Sequence, residues 1–289
     1  MLEFHSIRIN AFKENRKIRV YVPDHYQSTL TKFPVLYMHD GQNVFNDCEA
    51  IGGVSLGLEK YIHDNKLDVI VVAIDQNSKE RLNEYCPWVD GAYSEDVLGQ
   101  PSTTGGKGKQ YVDFIVNELI PFIDNKYRTL KNANAIAGAS LGALISTYAA
   151  CVYPEAFQHV AGISCAFYRN QEEIENLLFE SNLSHIKSFY MDCGDKEARN
   201  DHVVSEKFLK SNERVFEIIR NKIPYSQFKV IKNAEHHYKY FIDRVPNLFA
   251  FLNQDTNSFK GGQDDWNLEC SGDSPQVPGD QHIFSLKRT

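Results

Sequence analysis

The 289-residue sequence has no long apolar run. Its longest stretch free of polar side chains covers residues 69–74, far short of the roughly 20 that a bilayer-spanning helix needs. No membrane span is expected. The start, Met1-Leu2-Glu3-Phe4-His5, alternates apolar with polar residues and lacks the apolar core of a signal peptide, so a cytoplasmic location is expected. Excess positive charge is missing as well. The 31 Lys and Arg face 38 Asp and Glu, a net charge of −7, whereas nucleic acid and anionic membrane surfaces demand a clustered cationic face. Cysteine is sparse: Cys48, Cys86, Cys151, Cys165, Cys193 and Cys270 form no Cys-x-x-Cys pair and no regular spacing. That pattern supports neither a disulfide framework nor a zinc site, and free, packed thiols are expected. With 42% hydrophobic residues the chain can still bury a large core.

What is present alternates. Residues 4–9 and 18–22 read as an opening antiparallel pair of strands, with a charged turn between them. Residues 35–38 and 69–74 are continuous apolar runs of the kind buried on both faces of a sheet. From Tyr111 onward Phe114, Ile115, Leu119, Phe122 and Ile123 recur at helical spacing, with Pro121 expected to kink this helix or lie near its end. Strands at 133–137, 160–164, 188–192 and 228–231 then alternate with helices at 141–153, 205–219 and 241–252. This order implies right-handed crossovers and an α/β fold: a mainly parallel central sheet with helices on both faces. Residues 1–253 read as one domain. Residues 254–289, rich in Gly, Asp, Ser, Gln and Pro, read as a polar tail without periodicity. Residues 77–108 show neither clear helix nor strand, and loops of that length are usually functional.

One pentapeptide carries chemistry. Gly138-Ala139-Ser140-Leu141-Gly142 fits G-x-S-x-G and stands where a small-residue strand gives way to an apolar helix. At such a turn a serine is held exposed in a strained backbone, and the flanking glycines let strand and helix pass closely. The Leu141 N–H, at the helix start, is then a candidate oxyanion donor. A serine hydroxyl becomes a nucleophile when a histidine takes its proton and a carboxylate orients the histidine. Downstream, Cys193-Gly194-Asp195-Lys196-Glu197 offers two carboxylates after one strand. Asn233-Ala234-Glu235-His236-His237 offers two imidazoles after another. Consecutive side chains diverge, so only one histidine can face Ser140. Both loops belong to the carboxyl edge of the sheet, where sites of open α/β folds gather.

Several further stretches extend the pattern: residues 33–45, containing Met38-His39-Asp40-Gly41-Gln42-Asn43, then Glu84-Tyr85-Cys86-Pro87-Trp88, residues 105–111 and residues 124–129. With the elbow and the two later loops, they make the chain resemble the esterase D, feruloyl esterase and enterochelin esterase-like family of the α/β-hydrolase superfamily, from about residue 3 to 252. The family also includes acetylxylan esterases, S-formylglutathione hydrolases and mycolyltransferases. The resemblance implies an α/β-hydrolase fold, Ser140 as nucleophile and His236 as its base. It favours Glu197 as the acid, where the family more often has aspartate, and Asp195 is the alternative. Gln42 supplies the second oxyanion N–H, while His39 precedes that loop and is expected to pack or hydrogen-bond.

These readings converge on a serine carboxylesterase that acts on short-acyl, carbohydrate or aromatic esters through an acyl-enzyme. Tyr85, Trp88 and Tyr93, with Phe167 and Tyr168, are expected to wall the substrate pocket, since aromatic walls suit a sugar or an aromatic group. Cleavage of a siderophore trilactone is the main alternative, and an idle hydrolase-like binding module is the second. No cofactor or metal is expected: residues 105–109 lack the leading glycine of a phosphate loop, and Asp40 to Asp47 lack the alternating carboxylates of a calcium loop. The expected partner is a small-molecule ester, and the sequence is compatible with a homo-oligomer.

Overall fold

The computed structural model describes residues 1–254. Eight strands form one sheet: β1 (Leu2–Ile9), β2 (Glu14–Tyr21), β3 (Phe33–Met38), β4 (Ile70–Ile74), β5 (Thr129–Ala139), β6 (His159–Ile163), β7 (Ser188–Gly194) and β8 (Ser226–Ile231). Their spatial order is β1-β2-β4-β3-β5-β6-β7-β8. β1 pairs antiparallel with β2, β2 pairs antiparallel with β4, and every later pairing is parallel. The opening hairpin and the parallel remainder are those the apolar pattern predicts. Ten α-helices are described: α1 (Leu58–Asp64), α2 (Arg81–Tyr85), α3 (Ala92–Leu98), α4 (Gly108–Phe114), α5 (Ile120–Lys126), α6 (Leu141–Val152), α7 (Gln171–Glu180), α8 (His202–Lys222), α9 (Tyr238–Phe241) and α10 (Val245–Gln254).

Strand alternation divides the core into two layers. In β3, Val35 and Tyr37 enter a cluster with Ile115, Ile123, Leu144, Ile174 and Phe208, beneath α5 to α8. Leu36 and Met38 enter the opposite cluster with Leu58, Ile62, Leu248 and Phe249, beneath α1 and α10. Successive residues of a strand point to opposite faces, so an all-apolar run such as that of β3 fits only between two helical layers.

The structure differs from the sequence reading in four places, one of them the expected helix 241–252, which is divided between the end of α9, a 3-10 turn, Ile242–Arg244, and α10. The helix from Tyr111 is divided: a π-helical stretch, Ile115–Leu119, joins α4 to α5, and Pro121 sits in the first turn of α5. The π-helical turn directly before it is where the regular α-helical hydrogen-bond ladder is interrupted, as a proline that lacks an N–H requires. Residues 77–108 contain α2, α3 and a β-bridge between Val89 and Gly105, and so are not a bare loop. Short helices of five and seven residues leave too few apolar repeats to show as periodicity. Helix α1, also seven residues long, escapes for the same reason, and the ten-residue α7 was likewise not expected. The polar tail lies outside the described residues. Among the described residues no helix is long and apolar enough to cross a membrane.

Candidate active site

Five strands end at one edge and deliver the candidate residues there. β3 leads to His39 and Gln42, β5 to Ser140, β6 to Ser164, β7 to Glu197 and β8 to His236. Ser140 occupies the sharp turn between β5 and α6, with φ 60° and ψ −121°. Such a backbone is costly for a residue with a side chain and persists only where its surroundings fix it. Here the Ser140 N–H donates to the Ile163 carbonyl at 2.9 Å, and the Ser140 carbonyl accepts from Ala166 at 3.1 Å. A Cβ added to Gly138 would lie 2.6 Å from the Gly142 backbone, so strand and helix touch through glycine alone.

His236 Nε2 lies 2.8 Å from Ser140 Oγ, and His236 Nδ1 lies 2.6 Å from Glu197 Oε2. The ring stands between Phe208 and Phe241, with centroids 5.5 and 5.3 Å away, which limits its rotation. The loops carrying acid and base are stitched together by backbone bonds from Lys196 to Ala234 (3.1 Å) and from His236 to Glu197 (3.3 Å). Asp195 is turned elsewhere: its Oδ1 accepts the Asn233 N–H at 2.6 Å. His237 also turns away, its Nδ1 accepting the Lys239 N–H at the start of α9.

Glu197 is fully enclosed. Its Oε1 accepts the Ser164 hydroxyl at 2.6 Å and the Gly194 N–H at 2.5 Å. Burial alone pushes this carboxyl up, but the hydrogen bond and charge of His236, the Ser164 hydroxyl and the Arg244 cation together hold it below the usual range.

Gln42 lies in a 3-10 turn, Gly41–Asn43, and Leu141 opens α6. First-turn N–H groups have no intrahelical acceptor and so are available to an oxyanion. The Gln42 side chain braces the loop by exchanging two 2.9 Å bonds with the Gln76 backbone. Before it, Asp40 has φ 55° and grips Arg81 through two bonds of 2.7 and 2.8 Å. His39 is packed, as the sequence suggests: its Nδ1 lies 3.0 Å from the Tyr111 hydroxyl, and burial pushes its pKa down to about 4.

The five aromatics separate into two groups. Tyr85 and Phe167, both 0% exposed, offer no surface to a ligand, which corrects the expectation that they wall a pocket. Tyr85 instead supports the loop before Gln42 by accepting the Asp40 N–H at 3.1 Å, and Phe167 fills the core. Trp88 and Tyr93 are half-buried: Trp88 packs edge-on against Tyr148, and the Tyr93 hydroxyl donates to the Lys207 carbonyl on α8. Tyr168, nearly buried, lies against Phe208 and so one ring removed from His236.

Sequence reasoning missed a layer beneath Glu197: Ser164, Asp192, Tyr190 and Arg244. The signal in the sequence was slight, an Asp243-Arg244 pair near the start of the expected closing helix, and the neighbours of Arg244 come from strands far away in the chain.

A mostly parallel eight-stranded sheet, with a serine elbow, a histidine and a carboxylate on successive loops at its carboxyl edge, is an α/β-hydrolase fold. The particular family follows from comparison. The model of the family described as "Putative esterase" matches residues 9–252, and the chain belongs to that family; it is an esterase. Among curated proteins, "Uncharacterized protein YbbA" of Bacillus subtilis is 28% identical over 247 residues, covering 82% of this chain and 92% of its own. Among solved structures, the siderophore hydrolase EstB of Aspergillus nidulans superposes with a TM-score of 0.67 at 18% identity, over 87% of this chain and 93% of its own. A ferulic acid esterase gives 0.64 at 18% identity, over 89% and 98%. The enterobactin esterase FES of Shigella flexneri gives 0.68 at 14% identity, over 88% of this chain and 59% of its own. At these identities the structures share the fold.

Proposed function

We propose that the protein is a serine carboxylesterase working through an acyl-enzyme. The observation that carries this reading is the unbroken line from Ser140 Oγ through both nitrogens of His236 to Glu197, with separations of 2.8 and 2.6 Å. In the first half-reaction Ser140 Oγ attacks the ester carbonyl carbon and its proton passes to His236 Nε2. Glu197, held ionised, stabilises the resulting imidazolium. The carbonyl oxygen becomes an oxyanion, which accepts hydrogen bonds from the Gln42 N–H and from the Leu141 N–H with the α6 dipole behind it. Collapse breaks the bond to the alcohol oxygen, which leaves with the proton from His236. Water then repeats the sequence: His236 takes its proton, hydroxide adds to the acyl carbon, and Ser140 leaves with the proton returned.

Trp88 and Tyr93 are the half-buried aromatics of the proposed wall, and an acyl or alcohol moiety with an apolar face suits them. Ser140→Ala is expected to lower kcat/KM on a p-nitrophenyl ester by about 10⁴ or more, and a fluorophosphonate is expected to label wild type but not the variant. Equal turnover by both proteins would end this reading. No turnover and no labelling in wild type would instead indicate a binding module. A panel of acetyl, feruloyl, thioester and trilactone substrates ranked by kcat/KM identifies the ester class.

A further inference from the structure

Beneath the candidate triad lies a second, wholly enclosed set of polar groups. Arg244 follows α9 in the 3-10 turn Ile242–Arg244, eight positions after His236, and is 1% exposed. Its Nη1 donates to Ser164 Oγ at 2.6 Å and to Asp192 Oδ1 at 2.8 Å. A hydroxyl has one proton to give. The guanidinium can only donate to the hydroxyl oxygen, so Ser164 directs that proton to Glu197 Oε1 at 2.6 Å. Asp192 closes the set: Oδ1 also accepts the Ser164 N–H at 3.1 Å, and Oδ2 accepts the Tyr190 hydroxyl at 2.9 Å. Ser164 itself has φ 49°, a backbone that L residues seldom adopt. That strain is maintained at a position whose hydroxyl meets Glu197 and Arg244 and whose N–H meets Asp192.

The arrangement also balances charge. Glu197 and Asp192 are both enclosed, and the one buried guanidinium between them offsets part of their charge. Arg244 is tied to the base as well as to the acid, because its guanidinium lies 5.3 Å from the centroid of Phe241, whose ring abuts His236.

We propose that Ser164 and Arg244 are positioning residues, a relay from the Arg244–Asp192 ion pair through the Ser164 hydroxyl that fixes the orientation of Glu197 toward His236. This inference rests on the Ser140, His236 and Glu197 reading above. The relay carries no proton in the reaction and touches no substrate. It holds the carboxylate plane so that Oε2 faces Nδ1.

The test uses the full chain with a p-nitrophenyl ester. Ser164→Ala removes the hydroxyl but leaves the Arg244–Asp192 pair intact. It is expected to lower kcat about tenfold or more with KM within about twofold, because an interaction realised mainly in the transition state is lost. Arg244→Met alone would strand the Asp192 charge, so the charge-neutral pair Arg244→Met with Asp192→Asn is the second variant. A drop in kcat of about fivefold or more at little-changed KM is expected from it. Each change is repeated in a Glu197→Gln background, where a relay acting only through Glu197 has nothing left to orient. There the further loss is expected to stay below about twofold, whereas a merely structural role would multiply through. If Ser164→Ala does not fold, as judged by circular dichroism, the charge-neutral pair decides. The relay is overturned if both variants keep wild-type kcat, or if their effects persist in full on Glu197→Gln. Should Ser140→Ala itself remain active, the underlying reading fails; full activity of the relay variants beside an inactive Ser140→Ala defeats the relay alone.

Discussion

Two carboxylates share the loop after β7, and sequence spacing alone leaves both open as the acid. The difference between them is one of geometry. Asp195 closes a turn with the Asn233 N–H near the surface, while Glu197 is enclosed against His236. The longer glutamate side chain reaches the ring from two positions further along, after the chain has turned under the β8 loop. Glu197→Gln is therefore expected to lower kcat by about 10² to 10⁴ with KM little changed, since a neutral amide cannot stabilise the imidazolium. Asp195→Ala is expected to keep kcat within about twofold and to cost about 1 kcal/mol of stability or less, the worth of one turn hydrogen bond. Steady-state kinetics and urea denaturation of both variants check the pair. The reverse pattern would transfer the acid role to Asp195.

At the scale of elements, the loop after β3 is built to hold a backbone donor still. Arg16, buried beside Glu84 with bonds of 2.9 Å, fastens α2 to β2. Helix α2 in turn presents Arg81 to Asp40, and Tyr85 to the Asp40 N–H. Gly41 packs so tightly on Asp75 that an added Cβ would come within 2.5 Å of its carboxylate. The donor is a main-chain group, so truncating the Gln42 side chain and deleting its N–H are different experiments. Gln42→Pro, which deletes the donor, is expected to lower kcat by about 10² to 10³. Gln42→Ala keeps the N–H and removes only the brace on Gln76, and a loss of tenfold or less is expected. Stopped-flow measurement of acylation on both variants separates the two effects. Equal losses would mean that the loop acts through its side chain.

For the whole molecule, the sheet was legible because its strands are either all-apolar, as in β3 and β4, or alternating, as in β1. The elbow was legible because strain and close approach restrict its residues to small types. The wall of aromatics was not: the same Tyr85 can face a ligand or brace a loop, and only the packing of α2 against α4 and α6 decides. Nor was the layer of Ser164, Asp192 and Arg244, whose members meet only once β6, β7 and the closing helices are assembled. A similar assembly buries His39 neutral beside the elbow. Its Nε2 has no hydrogen-bond partner among the described residues, and a Cβ on Gly142 would lie 3.2 Å from its own Cβ. Burial lowers its pKa from 6.5 to about 4, with Arg81 reinforcing the shift and Asp40 opposing it. Between those two values the unfolded chain binds a proton that the folded chain refuses. Stability is therefore undiminished above pH 6.5 and falls as the pH drops toward 4, by up to about 1.4 kcal/mol per pH unit and about 3 kcal/mol in all. His39→Gln, whose amide can still meet the Tyr111 hydroxyl, is expected to remove that part of the slope whatever its effect at neutral pH. Urea unfolding of both proteins across pH 8 to 4 provides the comparison. Parallel curves would show that His39 takes up its proton without unfolding, and that the packing around the elbow yields to charge.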